Sequence, residues 1–237
     1  MHIPKRELTH AHELLLGATN IAVLSGAGLS KASGVSTYRD AGGLWQDAQT
    51  LKYSHVNAYQ SDPGSFTKFW RDRCQEVRRA RPNAAHLALR NLQRTKATTL
   101  ITQNVDGLLQ SAGCENVIEL HGSLARQRCG QCGKRYWSLF GRCLHCYGHM
   151  RPEVILFGEE LPQEALSRAL DSASQCDLFI LVGSTAVVTP AAELPVLALR
   201  AGARLMVIDT EPPLLSCAAD VVLTGAAEYL MPQLLLT

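Results

Sequence analysis

The chain has 237 residues, of which 46% are hydrophobic and 19% are charged, which excludes a disordered protein and suits one large domain, alone or with a smaller one. A formal net charge of only +2 excludes a strong overall electrostatic attraction to nucleic acid or to an anionic membrane. Apolar runs stay short of the roughly 18 to 20 residues of a membrane span, and the amino terminus lacks a signal peptide's apolar core. We therefore expect a cytoplasmic protein whose eight cysteines stay reduced.

Short apolar segments that end in turn or polar residues are typical of strands buried on both faces of a parallel sheet. They comprise residues 21–25, 98–102, 117–120, 178–184, 204–209 and 220–224. Helical patterns alternate with them, at residues 4–16, 83–94, 105–111, 163–174, 191–200 and 226–235. This alternation predicts an α/β fold with a doubly wound parallel sheet.

Two stretches interrupt the alternation. Residues 35–81 carry no clear strand and end in an amphipathic, Arg-rich helix, while residues 125–150 are dense in Cys, Gly and His. We expect both to be insertions that pack together as a smaller module. The predicted sheet domain comprises residues 1–34, 84–123 and 154–237, and the predicted small domain comprises residues 35–83 and 124–153.

A glycine-rich turn, GAGLSKASG, follows the first predicted strand at residues 26–34. Glycines there let the backbone approach a pyrophosphate. The dinucleotide fingerprint G-x-G-x-x-G has Lys31 at its third glycine position, so a simple strand-to-helix connection explains the turn equally well. The polar, glycine-bearing segment at residues 34–45 favours a loop that closes over a ligand.

Two Cys-x-x-Cys pairs, Cys129 with Cys132 and Cys143 with Cys146, predict a four-cysteine zinc ribbon. Four thiolates fill the tetrahedral coordination of zinc and leave no position for substrate, so we expect the metal to be structural. The other four cysteines are dispersed, and we expect buried structural thiols at Cys74, Cys114, Cys176 and Cys217.

Polar residues follow two neighbouring predicted strands, at 103–106 and at 121–122. In an open parallel sheet, ligands bind beyond the carboxyl ends of strands. His121 can act there as a general base because the usual histidine pKa is near 6.5. Taken alone, His121 is better explained as a structural histidine.

Taken together and in chain order, these motifs resemble those of the sirtuin family. The resemblance lies in residues 26–30, 33–39, 103–106, 121–122, the two cysteine pairs, 151–159 and 188–191. It implies a Rossmann-type NAD-binding domain and a small domain built from a helical insertion and a zinc insertion. The implied activity is NAD-dependent removal of acyl groups from protein lysines, which releases nicotinamide and O-acyl-ADP-ribose.

The resemblance also implies the site residues, with His121 as the general base. The implied NAD-binding residues are Gly26, Ala27, Gly28, Ser30, Tyr38, Arg39, Trp45, Gln103, Asn104, Val105, Asp106, Gly183, Ser184, Thr185, Asp209, Thr210, Glu211 and Ala227. The acyl-lysine peptide is expected to pair by β-augmentation with Phe157, Gly158, Glu159 and Val187. Asp209 replaces the family's usual asparagine, and its charge predicts a preference for NAD over NADP.

The helix at residues 65–73 bears on which acyl group is removed. Phe66, Phe69, Trp70 and Arg73 share one face of it by their spacing. Trp70-x-x-Arg73 resembles the Tyr-x-x-Arg of family members that remove succinyl groups, which implies desuccinylation in addition to deacetylation. The alternative is an exposed arginine on a packed helix, in a plain deacetylase.

Two other functions compete with deacylation. A zinc-ribbon nucleic-acid-binding protein would use the arginines of residues 71–81, although Asp72 and Glu76 interrupt them. An ADP-ribosyltransferase or NAD hydrolase on the same fold would share the NAD site. We expect acyl-lysine proteins as partners, no membrane or specific nucleic acid, and a monomer.

Overall fold

The computed structural model describes residues 5–37, 43, 46–137 and 141–235. Its strands are β1 (Asn20–Ser25), β2 (Ala97–Thr102), β3 (Ile118–Glu119), β4 (Gly122–Cys129), β5 (Arg135–Trp137), β6 (Met150–Val154), β7 (Leu178–Val182), β8 (Arg204–Asp209) and β9 (Val221–Thr224). Its α-helices are α1 (Lys5–Gly17), α2 (Ala48–Tyr53), α3 (Val56–Ser61), α4 (Pro63–Arg79), α5 (Ala84–Thr95), α6 (Leu108–Ser111), α7 (Gln163–Gln175), α8 (Leu194–Arg200) and α9 (Ala227–Gln233). Short 3-10 helices span Ala27–Ser33, Ala191–Glu193 and Leu214–Ala218.

The larger sheet confirms the predicted doubly wound parallel architecture. Its strand order is β3-β2-β1-β7-β8-β9, and every neighbouring pair is parallel. One apolar cluster packs α1, α5 and α9 on one face, and another packs α7 and α8 on the other. The direction of strand addition reverses between β1 and β7, and ligands of such sheets bind at this switch point.

The two irregular stretches form different structures. The first contains the helices α2 to α4, of which α4 is the predicted amphipathic helix, and α4 buries Phe66 and Trp70 against Leu124 and Val154. The second forms an antiparallel sheet in the order β5-β4-β6. The domain boundaries assigned from the sequence stay a prediction.

Element ends differ from the sequence pattern where backbone geometry changes. β7 ends at Val182 rather than residue 184, because Gly183 has a φ of +60°. The helix expected at 105–111 begins only at Leu108, since Gly107 precedes it with a φ of +72°. Among the described residues, every helix is too short or too polar to cross a membrane.

Gly122 sets where the chain leaves the large sheet for the small one. A Cβ on Gly122 would lie 1.9 Å from the carbonyl oxygen of Glu153, and the residue has a φ of +75°. Only glycine fits this approach and this conformation without strain. The crossing places His121 at the junction of the two sheets.

Candidate active site

Three glycines bring the loops after β1 and β7 into backbone contact. A Cβ on Gly26 would lie 2.6 Å from the Gly183 oxygen, and a Cβ on Gly28 would lie 2.7 Å from the Gly183 Cα. The Gly28 amide donates a hydrogen bond to the Gly183 oxygen at 2.9 Å. The glycines are therefore required for close packing, and they leave bare backbone at the switch point.

A cavity of about 560 Å³ opens at this edge of the sheet. Predicted site residues that line it are Gly26, Ala27, Gly28, Trp70, Gln103, Asn104, Val105, His121, Phe157, Gly158, Glu159, Gly183, Ser184, Thr185, Asp209, Thr210 and Ala227. The cavity thus brings together residues at or after the ends of β1, β2, β3, β6, β7, β8 and β9, and Trp70 of α4. Tyr38, Arg39 and Trp45 lie outside the described residues.

Lining residues that were not predicted include Lys31, Val154, Ile155, Leu161, Thr189 and Glu228. Lys31 occupies the position where the glycine fingerprint fails, and that departure was the available signal. From the sequence, the apolar residues among them are predicted to lie in the core, because no local pattern distinguishes a cavity wall from the core.

Ser30 and Asp106 lie in a buried polar cluster beside the cavity. The Ser30 hydroxyl donates to the Asp106 carboxylate at 2.7 Å and accepts from the Asn104 side-chain amide at 3.2 Å. The same amide donates to the Gly26 oxygen at 2.9 Å. Burial raises the pKa of Asp106, while hydrogen bonds from Leu108 and Ser30 oppose the rise. The cluster ties the end of β2 to the glycine turn.

His86 joins this cluster and was not predicted. Its Nδ1 accepts from the Asn83 amide, so Nε2 carries the hydrogen and lies 3.4 Å from the Ser30 hydroxyl. Burial lowers the pKa of His86 to about 4, so the ring is neutral. From the sequence, a histidine within the apolar face of a helix is predicted to be a structural core residue.

His121 has its tautomer set by the main chain. Its Nδ1 lies 3.0 Å from the Gln103 oxygen, and because a carbonyl only accepts, Nδ1 carries the hydrogen. Nε2 of the neutral ring is therefore free to accept a proton. Burial lowers the pKa of His121, and the bond to Gln103 opposes this in part. The residue has the geometry of a general base.

The polar ends of β2, β7 and β8 complete one side of the cavity. The Gln103 side-chain amide donates to the Ser184 hydroxyl at 2.7 Å. Asp209 ends β8, and one of its oxygens accepts from the Glu211 amide at 3.0 Å. Bare glycine backbone for a pyrophosphate and a carboxylate for ribose hydroxyls together fit a dinucleotide such as NAD.

The four predicted zinc ligands converge. The sulfur atoms of Cys129, Cys132, Cys143 and Cys146 all lie within 4.8 Å of one another. The Cys129–Cys146 and Cys132–Cys143 separations are 3.4 and 3.6 Å. A tetrahedral zinc–thiolate site has sulfurs about 3.8 Å apart, so the cluster fits Zn²⁺.

The remaining cysteines divide into two groups. Cys74, Cys114 and Cys176 are buried as predicted, and burial raises the pKa of each thiol to about 11. Cys217 is exposed, so its prediction as a buried thiol is wrong. It lies in a short 3-10 helix with no buried residues, and nothing covers it among the described residues.

Of the two predicted acyl-selective residues, Trp70 lines the main cavity and Arg73 does not. The Trp70 indole donates to the Tyr53 oxygen at 3.0 Å, so its N–H anchors α4 to α2. Arg73 lines a second cavity of about 40 Å³, which it shares with Trp70, and bonds to Glu76 at 2.5 Å. Phe157 and Val187 are 39% and 60% exposed, as residues available to a peptide must be.

Fold and site together define a Rossmann-type enzyme with a nucleotide cavity, a candidate general base and a separate four-cysteine centre. The family model of the Sir2 family matches residues 26–190. The chain belongs to the Sir2 family, which confirms the resemblance to sirtuins.

Similar proteins match over nearly the whole chain. A relative from Thermus thermophilus, named NAD-dependent protein deacylase, is 43% identical over 232 residues, covering 93% of this chain and 91% of its own. A solved Sir2 homolog–NAD complex is 34% identical with a TM-score of 0.89, covering 98% of this chain and 93% of its own. A Sir2 variant solved with a deacetylated p53 peptide and 3′-O-acetyl ADP ribose is 30% identical with a TM-score of 0.90, covering 97% of each chain.

Replacement of one cysteine of the quartet, Cys129→Ala, is expected to destabilise the small antiparallel sheet, because a structural zinc contributes directly to folding. Loss of a metal centre lowers the melting temperature by about 10 °C or more in a chain of this size. Calorimetry and zinc analysis of the variant check this, with Cys217→Ala as the matched control. A zinc-free protein with unchanged melting would contradict it.

Proposed function

We propose that the chain is an NAD-dependent protein lysine deacylase with a structural zinc site. One observation carries this proposal: His121, with Nε2 free, lines the same cavity as the bare glycine turn and the exposed Phe157. A general base thus lies between a nucleotide site and a wall open to a peptide. The names of the relatives, and the NAD and peptide complexes of similar structures, support the same activity.

Each part of the cavity has a distinct task in this reaction. NAD supplies the nicotinamide–ribose bond, whose cleavage provides an acceptor for the acyl group. The backbone of Gly26 and Gly28 would hold the phosphates, and Asp209 would accept from ribose hydroxyls. The Asn104 amide, held on Gly26 and Ser30, fixes the floor of the cavity. His121 takes a proton at Nε2.

ADP-ribosyl transfer to protein is the second candidate, because it uses the same nucleotide site. The exposed peptide wall favours deacylation. Nicotinamide release that requires acyl-lysine identifies a deacylase, whereas release without acyl-lysine identifies a transferase or NAD hydrolase. Mass spectrometry of an acetyl-lysine peptide with and without NAD makes this distinction directly.

Acyl selectivity depends on Arg73 in this proposal. The small cavity that contains Arg73 also shares Ser54, Asn104 and Val105 with the wall of the larger one, so an acyl chain can approach it. The Glu76 carboxylate competes for the guanidinium, and the cavity measures only about 40 Å³. We therefore expect acetyl-lysine as the main substrate and succinyl-lysine as a slower one.

The site favours NAD and acyl-lysine proteins as its partners. Cytoplasmic localisation, a monomeric state and the absence of a specific nucleic-acid partner stay predictions. Of these, the cytoplasm is supported by the four-thiolate cluster, because cysteines must stay reduced to bind zinc.

The variant His121→Ala is expected to keep its fold and NAD binding but to lose deacylation by about 10² to 10⁴ in rate, because the general base is missing. Steady-state kinetics on an acetyl-lysine peptide measure this, and His10→Ala, an exposed histidine on α1, is the control. Near-wild-type turnover by a folded His121→Ala would remove His121 from the mechanism.

The pH profile of kcat/KM is expected to have an acid limb with its midpoint below 6.5, since burial lowers the pKa of His121. The neutral ring is the active base, and a lowered pKa keeps it neutral to a lower pH than a free imidazole. Activity should therefore persist on mild acidification and fall only below that midpoint. A midpoint above 6.5 would mean that His121 does not set this limb.

Exchange of the helix arginine, Arg73→Met, is expected to lower the ratio of succinyl-lysine to acetyl-lysine efficiency by about tenfold to a hundredfold, the value of a hydrogen bond to a charged group. Glu76→Gln should raise the same ratio by freeing Arg73. Arg79→Met, an exposed arginine of the same helix, controls for lost charge. An unchanged ratio in Arg73→Met would leave a plain deacetylase as the better description.

A further inference from the structure

Arg151, on β6, is a buried cation that the sequence-based site does not include. The residue is 2% exposed, and a buried charge is costly unless it is paired and hydrogen-bonded. Its guanidinium donates to both carboxylate oxygens of Glu159, at 2.7 and 2.8 Å, and to the Val154 oxygen at 2.7 Å. This bidentate geometry fixes Glu159 in both distance and orientation.

The carboxylate of Glu159 is occupied within the protein. Besides the two bonds from Arg151, it accepts from Arg128 at 2.8 Å and from the Leu156 amide at 2.9 Å. Burial acts to raise the pKa of Glu159, but the bonds from Arg151 and Leu156 outweigh it and hold the pKa below its usual value. Glu159 therefore stays charged and acts on the chain around it rather than on a peptide.

Charge balance across β4 and β6 depends on the same carboxylate. Arg128 and Arg151 are direct cross-strand partners, and like charges opposite each other destabilise a sheet. Glu159 bonds to both guanidinium groups and so neutralises the repulsion. The position of the Glu159 carboxylate is consequently fixed by an arginine from each of the two strands.

The bonds of Glu159 hold the turn at residues 156–159. The Glu159 amide donates to the Leu156 oxygen at 3.0 Å, and Gly158 has a φ of +90°, as a tight turn requires. On the other side, the Phe157 amide donates to the Ser54 oxygen at 2.8 Å. Phe157 and Gly158 are thus presented at the cavity wall by a turn anchored at both ends.

We infer that Arg151 is a positioning residue for the acyl-lysine peptide, acting through Glu159 on the turn that carries Phe157 and Gly158. This inference rests on the proposed deacylase function. With Arg151 present, the peptide meets an ordered wall. Without Arg151, the turn is mobile in the free protein, so peptide binding has to order it. The conformational entropy lost in this ordering weakens the binding of the peptide. The glycine turn that receives NAD lies on other strands and is not altered.

The test compares Arg151→Met, Arg151→Lys and Arg135→Met with the wild-type protein. Arg151→Lys keeps the charge but not the bidentate contact. Arg135→Met removes an ion pair with Glu153 in the same sheet, in which the arginine side chain is 73% exposed, and is the matched control. KM for an acetyl-lysine peptide, kcat, NAD affinity and zinc content are measured for each, together with amide hydrogen exchange of residues 154–160 without substrate.

Arg151→Met is expected to raise the peptide KM about tenfold or more and to speed amide exchange of the turn, with NAD affinity and zinc content preserved. Arg151→Lys should be intermediate, and Arg135→Met should match the wild type. Unchanged exchange and unchanged KM in a folded Arg151→Met, or a loss confined to kcat and NAD affinity, would overturn the inference. A wild-type protein without NAD-dependent deacylation would instead refute the proposed function, and the exchange measurement would still show whether Arg151 orders the turn.

Discussion

The contact between the loop after β1 and the loop after β7 is the constraint on which the active site depends. Neighbouring parallel strands lie about 4.8 Å apart, and the backbone contact between these two loops requires residues without a Cβ at the points of closest approach. Gly26, Gly28 and Gly183 satisfy this requirement, and a Cβ on Gly183 would lie 2.3 Å from the Leu29 amide nitrogen. The floor of the cavity is consequently backbone, which suits a pyrophosphate.

Strand pairing in the same sheet determines which ring nitrogen of His121 carries the hydrogen. The Ser25 oxygen, at the end of β1, accepts from the Gln103 amide at 3.0 Å. The Gln103 oxygen then accepts from Nδ1 of His121, which leaves Nε2 able to accept a proton. The acceptor for Nδ1 is a main-chain carbonyl held beside β1 by strand pairing, so the tautomer is set without a dedicated acidic partner.

Local patterns predicted what depends on local sequence. Apolar strands, the cysteine pairs and the polar strand ends were all correctly placed, because each is defined by spacing or by its position in a parallel sheet. Arg151 was missed because an arginine in a sequence is normally predicted to be exposed. Its burial depends on contacts with Glu159 and with the rings of Tyr59 and Phe66, which are distant in the chain or not visible as a local pattern. The role of His86 was missed for a similar reason, since its contact with Ser30 spans 56 residues.

The zinc cluster and the substrate wall are linked by one step of a strand ladder. Cys129 lies opposite Met150 across β4 and β6, and the next pair along the same ladder is Arg128 with Arg151. A metal that holds Cys129 therefore also holds the register in which the two arginines converge on Glu159. Zinc without an open coordination position takes no part in chemistry. In the proposed function zinc would contribute to activity through structure, because the turn proposed to receive the peptide follows the strand ladder that begins at the cysteine cluster.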